Sequence, residues 1–423
     1  MNNNGSLISD HFSADFKWIK PGFYALCLTL FSMPFPRSWS LYPLGAMLFF
    51  GLISWIADFR TIIDVFFRKL FIVLPLILYF TIHAVCLIFE NNWSNVGDKL
   101  MFILVPVLAF PVFVSKFFMS KIKILLSAFL AGILVICLYQ FIRAAYDSIF
   151  ITDGVIRFEP LISQGISRFN WEQLSPFESP TYITIKALWA FALVLFAHRY
   201  LSIGKIWQVL LMVLYAIFIY FLAVRAGMII LILLVIVFIF NRLRGLFSRI
   251  AFVLLIPLIF YALFKVIRTN ERLNYWFDHV QEKISVEKVD FKNIEPRTRS
   301  WYSSINLIRD KPLFGVGLNS TEILAEEHRM QGFNVEADVR LNAHNQFLET
   351  QLAFGIPGTI ILLWMLLTPL IKRKSLWNSE LVVPFTIIVT VSMVFESILV
   401  RQWGIMFFVL FYCILTIPDS KTE

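Results

Sequence analysis

The chain has 423 residues, 59% of them hydrophobic and 15% charged, with a formal net charge of +9. Soluble domains carry about 25% charged residues. Apolar runs of about 20 residues, enough to cross a bilayer, recur here along most of the length. This pattern excludes a soluble protein with one large core. It also excludes a barrel of alternating strands of about 10 residues. Lys and Arg lie mainly in short loops rather than on one soluble face, which argues against nucleic acid as a partner.

The expected fold is an all-α polytopic membrane protein of about twelve transmembrane helices, with a large loop carrying short helices. The polar N-terminus, Met1 to Lys20, lacks a cleavable signal pattern, so the first span is expected to be retained. Spans are expected at about 22–36, 41–57, 70–89, 100–115, 124–146, 181–197, 206–224, 226–240, 250–267, 347–371, 380–399 and 402–417. The first ends in Pro34 and Pro36, and the junctions at 224–226 and 400–402 are tight. Residues 1–267 thus hold spans one to nine and an outer loop over 147–180. Residues 268–346 form the large loop, and 347–423 the last three spans.

Orientation follows from the Lys/Arg bias. With the N-terminus inside, the inner loops hold Arg60, Arg68 and Lys69; Lys116, Lys121 and Lys123; Arg199 and Lys205; Arg242, Arg244 and Arg249; and Lys372, Arg373 and Lys374. The short outer connections hold only Arg37, Lys99, Arg225 and Arg401. Both termini are therefore expected in the cytoplasm and the large loop outside. That loop, Arg268 to Asn345, has eleven Lys/Arg and twelve Asp/Glu, with aromatic residues such as Tyr275, Trp276, Phe277 and Trp301 throughout, which argues against disorder. Ser300 to Arg309 puts Trp301, Ile305 and Ile308 on one helical face, predicting a short helix on the membrane or capping the bundle. Lys311-Pro312 ends it, and Gly315 and Gly317 permit a tight reversal.

The four cysteines, Cys27, Cys86, Cys137 and Cys413, fall in apolar runs and suggest neither a disulfide framework nor a metal site. No outer loop carries an Asp-x-Asp pair, a His/Asp/Glu metal cluster, a phosphate-binding loop or a Gly-x-Ser-x-Gly elbow. No metal and no cofactor is expected. Charges near hydrocarbon are costly, so they face protein or water and mark a pathway or a site. Arg225 and Arg401 lie at outer edges, where a snorkelling interfacial arginine is the plain alternative. Glu396 lies about one turn inside and is too short to snorkel, which calls for a partner; Arg143 is long enough to reach out. Lys186 sits inside the sixth span. Arg297 and Arg299 offer planar forks suited to phosphate oxygens, or form a solvated pair balanced by Glu295.

Of six histidines, only His344 lies just outside an outer span entrance. An imidazole can take a proton from a hydroxyl, with Asn345 and Glu349 available to orient it; the alternative is a helix-capping histidine. His83, in the third span, reads as a satisfied core residue, and His11, His198, His279 and His328 have no informative context. Arginines, one base and no evident metal together suit the handling of an anionic lipid head group.

Arg297-x-x-x-Trp301, then Pro312-Leu-Phe-Gly-Val-Gly317, then His344-Asn345 running to Gly355-x-x-Gly358, resembles the O-antigen ligase and O-antigen polymerase superfamily. The resemblance is detailed in this half of the chain and only topological in the first. It implies a metal-independent glycosyltransferase of the bacterial inner membrane with its site facing the periplasm. The donor would be a glycan on undecaprenyl diphosphate. The acceptor would be a lipid A core sugar in a ligase, a repeat unit in a polymerase, or a protein side chain in a related branch. By position, Arg225, Arg297 and His344 match the family's site residues, and Arg299, Arg401, Glu396 and Asn345 are added as substrate-binding candidates. The ligase reading is preferred, with a polymerase as alternative. A lipid-linked saccharide transporter is a third reading, against which the one-sided charges and lack of repeats count.

Overall fold

The computed structural model describes residues 17–90, 96–152, 155–162, 167–198, 200–245, 247–250, 252, 254–255, 261, 265, 295–373 and 379–418. Most of the span expected over 250–267 lies outside them, as do most of the polar N-terminus, His11, Tyr275, Trp276, Phe277, His279 and Lys374.

The chain opens with α1 (Ile19–Ser32), α2 (Arg37–Ala57), α3 (Phe59–Arg68), α4 (Leu70–Glu90), α5 (Val96–Lys99), α6 (Met101–Leu108), α7 (Phe110–Val114) and α8 (Lys116–Tyr146). A hairpin of β1 (Ile149–Thr152) and β2 (Val155–Phe158) follows, then α9 (Trp171–Leu174), α10 (Pro180–Ala197), α11 (Lys205–Leu222) and α12 (Arg225–Arg242). The last part holds α13 (Pro296–Asp310), α14 (Ser320–Met330), α15 (Asn334–Asp338), α16 (Gln346–Lys372), α17 (Ser379–Phe395) and α18 (Gln402–Thr416).

Among the described residues, seven helices are long and apolar enough to span a membrane: α2, α4, α8, α10, α11, α12 and α16. The helices α1, α17 and α18 are shorter and apolar. These ten fall where the apolar runs predict them. The run over 100–115 does not form one helix. Pro111 has no N–H to give the Val107 carbonyl; that carbonyl accepts from the Trp55 indole at 2.7 Å, and the chain splits into α6 and α7. The tight 224–226 junction is a true break, with Ala223 left-handed at φ 51°. The first basic loop also contains a helix: α3 buries Ile62 and Phe66, exposes Phe59 and Phe67, and is capped by Asp58. One apolar stripe flanked by arginines is the pattern of a helix lying in a membrane interface.

The chain folds into two compact units, Met1–Leu134 with Ser300–Glu423, and Val135–Arg299. A helix apolar on every side faces either protein or lipid, and in each unit one such helix is enclosed by protein. In the first it is α18, nearly all of it buried and packed against α5, α6, α16 and α17. In the second it is α10, packed against α11 and α12.

The helix α10 carries Lys186, fully buried, with Nζ donating to both carboxylate oxygens of Glu178 at 2.7 and 2.9 Å. Removing one partner leaves a buried charge, so Lys186→Met is expected to cost about 3–5 kcal/mol. The double change Lys186→Met/Glu178→Leu should recover most of that loss. Thermal unfolding of the three proteins in one detergent checks this. Arg143 is held too, donating to the Gln173 carbonyl and pairing with Asp147 at 3.8 Å.

The helix predicted over 300–309 is present as α13, and the face that packs against protein is made of serines. Ser300, Ser303 and Ser304 are buried, whereas Ile305 is exposed. Ser300 Oγ donates to the Asn342 carbonyl at 2.7 Å and Ser303 Oγ to Gln331 Oε1 at 2.8 Å. Small hydroxyl residues let the helix approach the 331–342 segment closely while satisfying its polar groups.

Candidate functional site

The frame of the first unit's site is a broken helix. Gly355 interrupts α16 with φ 63° and ψ −152°, so nearby carbonyls lose their helical partners. The segment after α13 replaces them. Val316 N–H donates to Leu352 O at 2.7 Å and Gly317 N–H to Ala353 O at 2.9 Å, while Ile356 N–H donates back to Leu313 O at 3.1 Å. Gln351 Nε2 adds a bond to the Pro312 carbonyl at 2.8 Å. Both contact glycines have positive φ and no room for a side chain. A Cβ on Gly355 would meet Leu313 O at 2.2 Å, and one on Gly315 would meet Leu352 O at 2.4 Å. The two glycine-bearing motifs seen in the sequence are thus the two halves of one backbone interlock. The span expected over 347–371 is present as α16, with a kink at Gly355.

The first half of α16 sets out the residues around His344. Asn345 is the N-cap, its Oδ1 accepting from Phe347 N–H at 2.9 Å and Leu348 N–H at 3.1 Å. Glu349 is buried one turn on and accepts from Ala343 N–H at 3.1 Å. His344 itself is left-handed at φ 44°, with its N–H on Asn342 Oδ1 at 3.0 Å. Such a conformation costs about 1–3 kcal/mol and persists where its surroundings enforce it.

The imidazole is oriented from a distant point in the chain. Its Nδ1 lies 3.0 Å from Oε1 of Glu396, which follows the end of α17. A carboxylate can only accept, so in the neutral imidazole this contact puts the hydrogen on Nδ1 and the lone pair on Nε2. Both side chains are partly buried. The sequence offers Asn345 and Glu349 as the orienting groups. Asn345 instead caps the helix, Glu349 fixes the backbone before His344, and Glu396 holds the ring.

The non-helical segment between α17 and α18 is clamped in turn. Gln346 Oε1 accepts from Leu399 N–H at 2.7 Å, and Lys99 Nζ donates to the Leu399 carbonyl. In the sequence Lys99 is only a loop charge; its burial arises from residues three hundred positions away. Burial pulls its ammonium down to about 8, against the upward pull of Glu349 and Asp98. The unfolded chain therefore binds more protons between about pH 8 and the ordinary lysine value, and stability rises with pH across that window. Comparing unfolding midpoints of wild type and Lys99→Met from pH 7.5 to 10 checks this. The rise should be present in the first and absent from the second.

Arg401 is exposed at the N-cap position of α18. The second unit holds the other arginines. Arg225 is the first residue of α12 and places Nη1 2.5 Å from Oε1 of Glu295, both half-buried. Arg297 and Arg299 stand in the first turn of α13, also half-buried. Arg297 bears electrostatically on Arg225. This concentration of positive charge is further raised by the N-terminal N–H groups of α12, the arrangement that suits an anion.

Residues 210–363 match the family model described as O-antigen ligase. That segment contains Arg225, Arg297, Arg299, His344 and Asn345 and stops short of Glu396 and Arg401. No curated protein matches the chain.

Proposed function

We propose that this chain, which belongs through residues 210–363 to the O-antigen ligase superfamily, moves an O-antigen-type glycan from undecaprenyl diphosphate to a sugar hydroxyl of lipid A core. The observation that carries this reading is the His344–Glu396 pair, which leaves Nε2 free of any bond from the described residues. In the proposed reaction the acceptor oxygen attacks the anomeric carbon and its proton passes to His344 Nε2. The bond from that carbon to the diphosphate breaks, and undecaprenyl diphosphate leaves with the electron pair. Arg225, Arg297 and Arg299 bind the diphosphate, with Arg401 assisting, in the role other enzymes give a divalent ion. Glu295 is the anion that Arg225 already holds. Direct displacement inverts the anomeric centre. The protein would sit in the bacterial inner membrane with both termini in the cytoplasm and this chemistry facing the periplasm.

The test is transfer by purified protein in liposomes with EDTA present, offering undecaprenyl-diphosphate glycan with lipid A core. Glycan appearing on lipid A core is the expected result. Lengthening of the donor instead would mean a polymerase, and no transfer to either acceptor would overturn the reading. In the same assay Arg297→Lys, which keeps charge but loses the fork, is expected to lower turnover about 10²-fold.

A further inference from the structure

Behind Gln346 and Glu349, inside the first unit, lies a pocket distinct from the His344 imidazole. Its polar lining includes Tyr79, His83, Lys99, Gln346, Glu349 and Thr350, and its apolar lining includes Phe80, Leu87 and Phe354. Ala84 of α4 and Thr321 of α14 line it as well, neither of them buried. The polar groups are already ordered. Tyr79 OH is 3.3 Å from Thr350 Oγ1, and Gln346 Nε2 donates to that oxygen at 3.0 Å.

Two charged groups are incompletely used. Lys99 is buried with one donor on the Leu399 carbonyl, leaving the rest of its ammonium free. Glu349 is buried with Oε2 on Ala343 N–H, and no described residue bonds Oε1. The two influence each other electrostatically, yet they form no ion pair among the described residues. Buried polar groups left this way demand a partner. A phosphate would satisfy Lys99 but be repelled by Glu349, and an amine the reverse. A hydroxyl accepts from one and donates to the other. Aromatic and aliphatic walls beside such a pair suit the edge and face of a sugar ring.

We propose that this pocket binds a neutral sugar ring of the acceptor, with a hydroxyl bridging Lys99 Nζ and Glu349 Oε1. The proposal rests on the transferase reading for the identity of the ligand. Gln346 and Glu349 lie in the first turn of α16, which His344 directly precedes, so a sugar seated here is held at the His344 end of that helix.

The test is equilibrium binding of delipidated lipopolysaccharide core oligosaccharide to full-length protein in nanodiscs. Wild type is expected to bind saturably. Ala84→Trp and Thr321→Trp, which fill the pocket from different elements, should each weaken binding at least tenfold, and inorganic pyrophosphate should not displace the oligosaccharide. The proposal is overturned if wild type fails to saturate, if pyrophosphate competes, or if either tryptophan variant, with an unaltered melting temperature, binds as wild type does. Transfer without any effect of these variants removes the pocket and leaves the transferase. Binding without transfer does the opposite.

Discussion

His344→Ala is expected to lose about 10²–10⁴-fold in turnover while still binding donor, because it removes only a group that takes a proton in the transition state. Imidazole added to the medium should restore part of that activity. Glu396→Gln is the sharper test. Its amide can turn an N–H toward Nδ1, which forces the ring hydrogen onto Nε2, where a base needs a lone pair. In a known histidine–carboxylate site that change costs about 10⁴-fold. A loss of similar order is expected here, with the acceptor and donor KM values little changed. Full turnover in Glu396→Gln would remove the 3.0 Å contact from the mechanism.

The second large effect is on folding. Gly355→Ala and Gly315→Ala each put a methyl group against a backbone carbonyl, at 2.2 and 2.4 Å, in a backbone conformation that disfavours any side chain. Each is expected to destabilise by about 2–4 kcal/mol or to prevent accumulation of folded protein. Because both act on one interlock, the double variant should cost clearly less than the sum of the singles. Additive losses in unfolding measurements would mean that the two segments are independent.

The helices are legible because hydropathy along the chain sets where a span can lie, and a span satisfies its own backbone. Interruptions are legible only in part. Pro111 and Gly355 mark where a helix falters, but no local pattern says that a Trp55 indole or a Val316 N–H takes over the stranded carbonyl. Glu396 can be recognised as needing a partner, since a short carboxylate one turn inside an apolar run has nowhere else to go. That the partner is His344, 52 positions earlier, is a tertiary fact. The serine face of α13 escapes the sequence for a different reason. Periodicity favours large apolar residues as the packed side, whereas close approach there depends on small ones that can hydrogen-bond. The hairpin over 149–158 escapes it too. Its apolar residues, Ile149, Phe150, Ile151, Val155, Ile156 and Phe158, are exposed on both faces, so no alternation announces a strand.

The interlock around Gly355 also bears on how the protein is made. The Pro312–Gly317 segment that completes α16 precedes it in the chain, so it has already been synthesised when that helix emerges. A hydrocarbon environment does not tolerate bare carbonyls. The helix is therefore a finished element only together with the Pro312–Gly317 segment, and maturation of this span is tied to the placement of that segment. Deleting that stretch would remove more than a soluble appendage: it would leave a later transmembrane segment with an incomplete backbone.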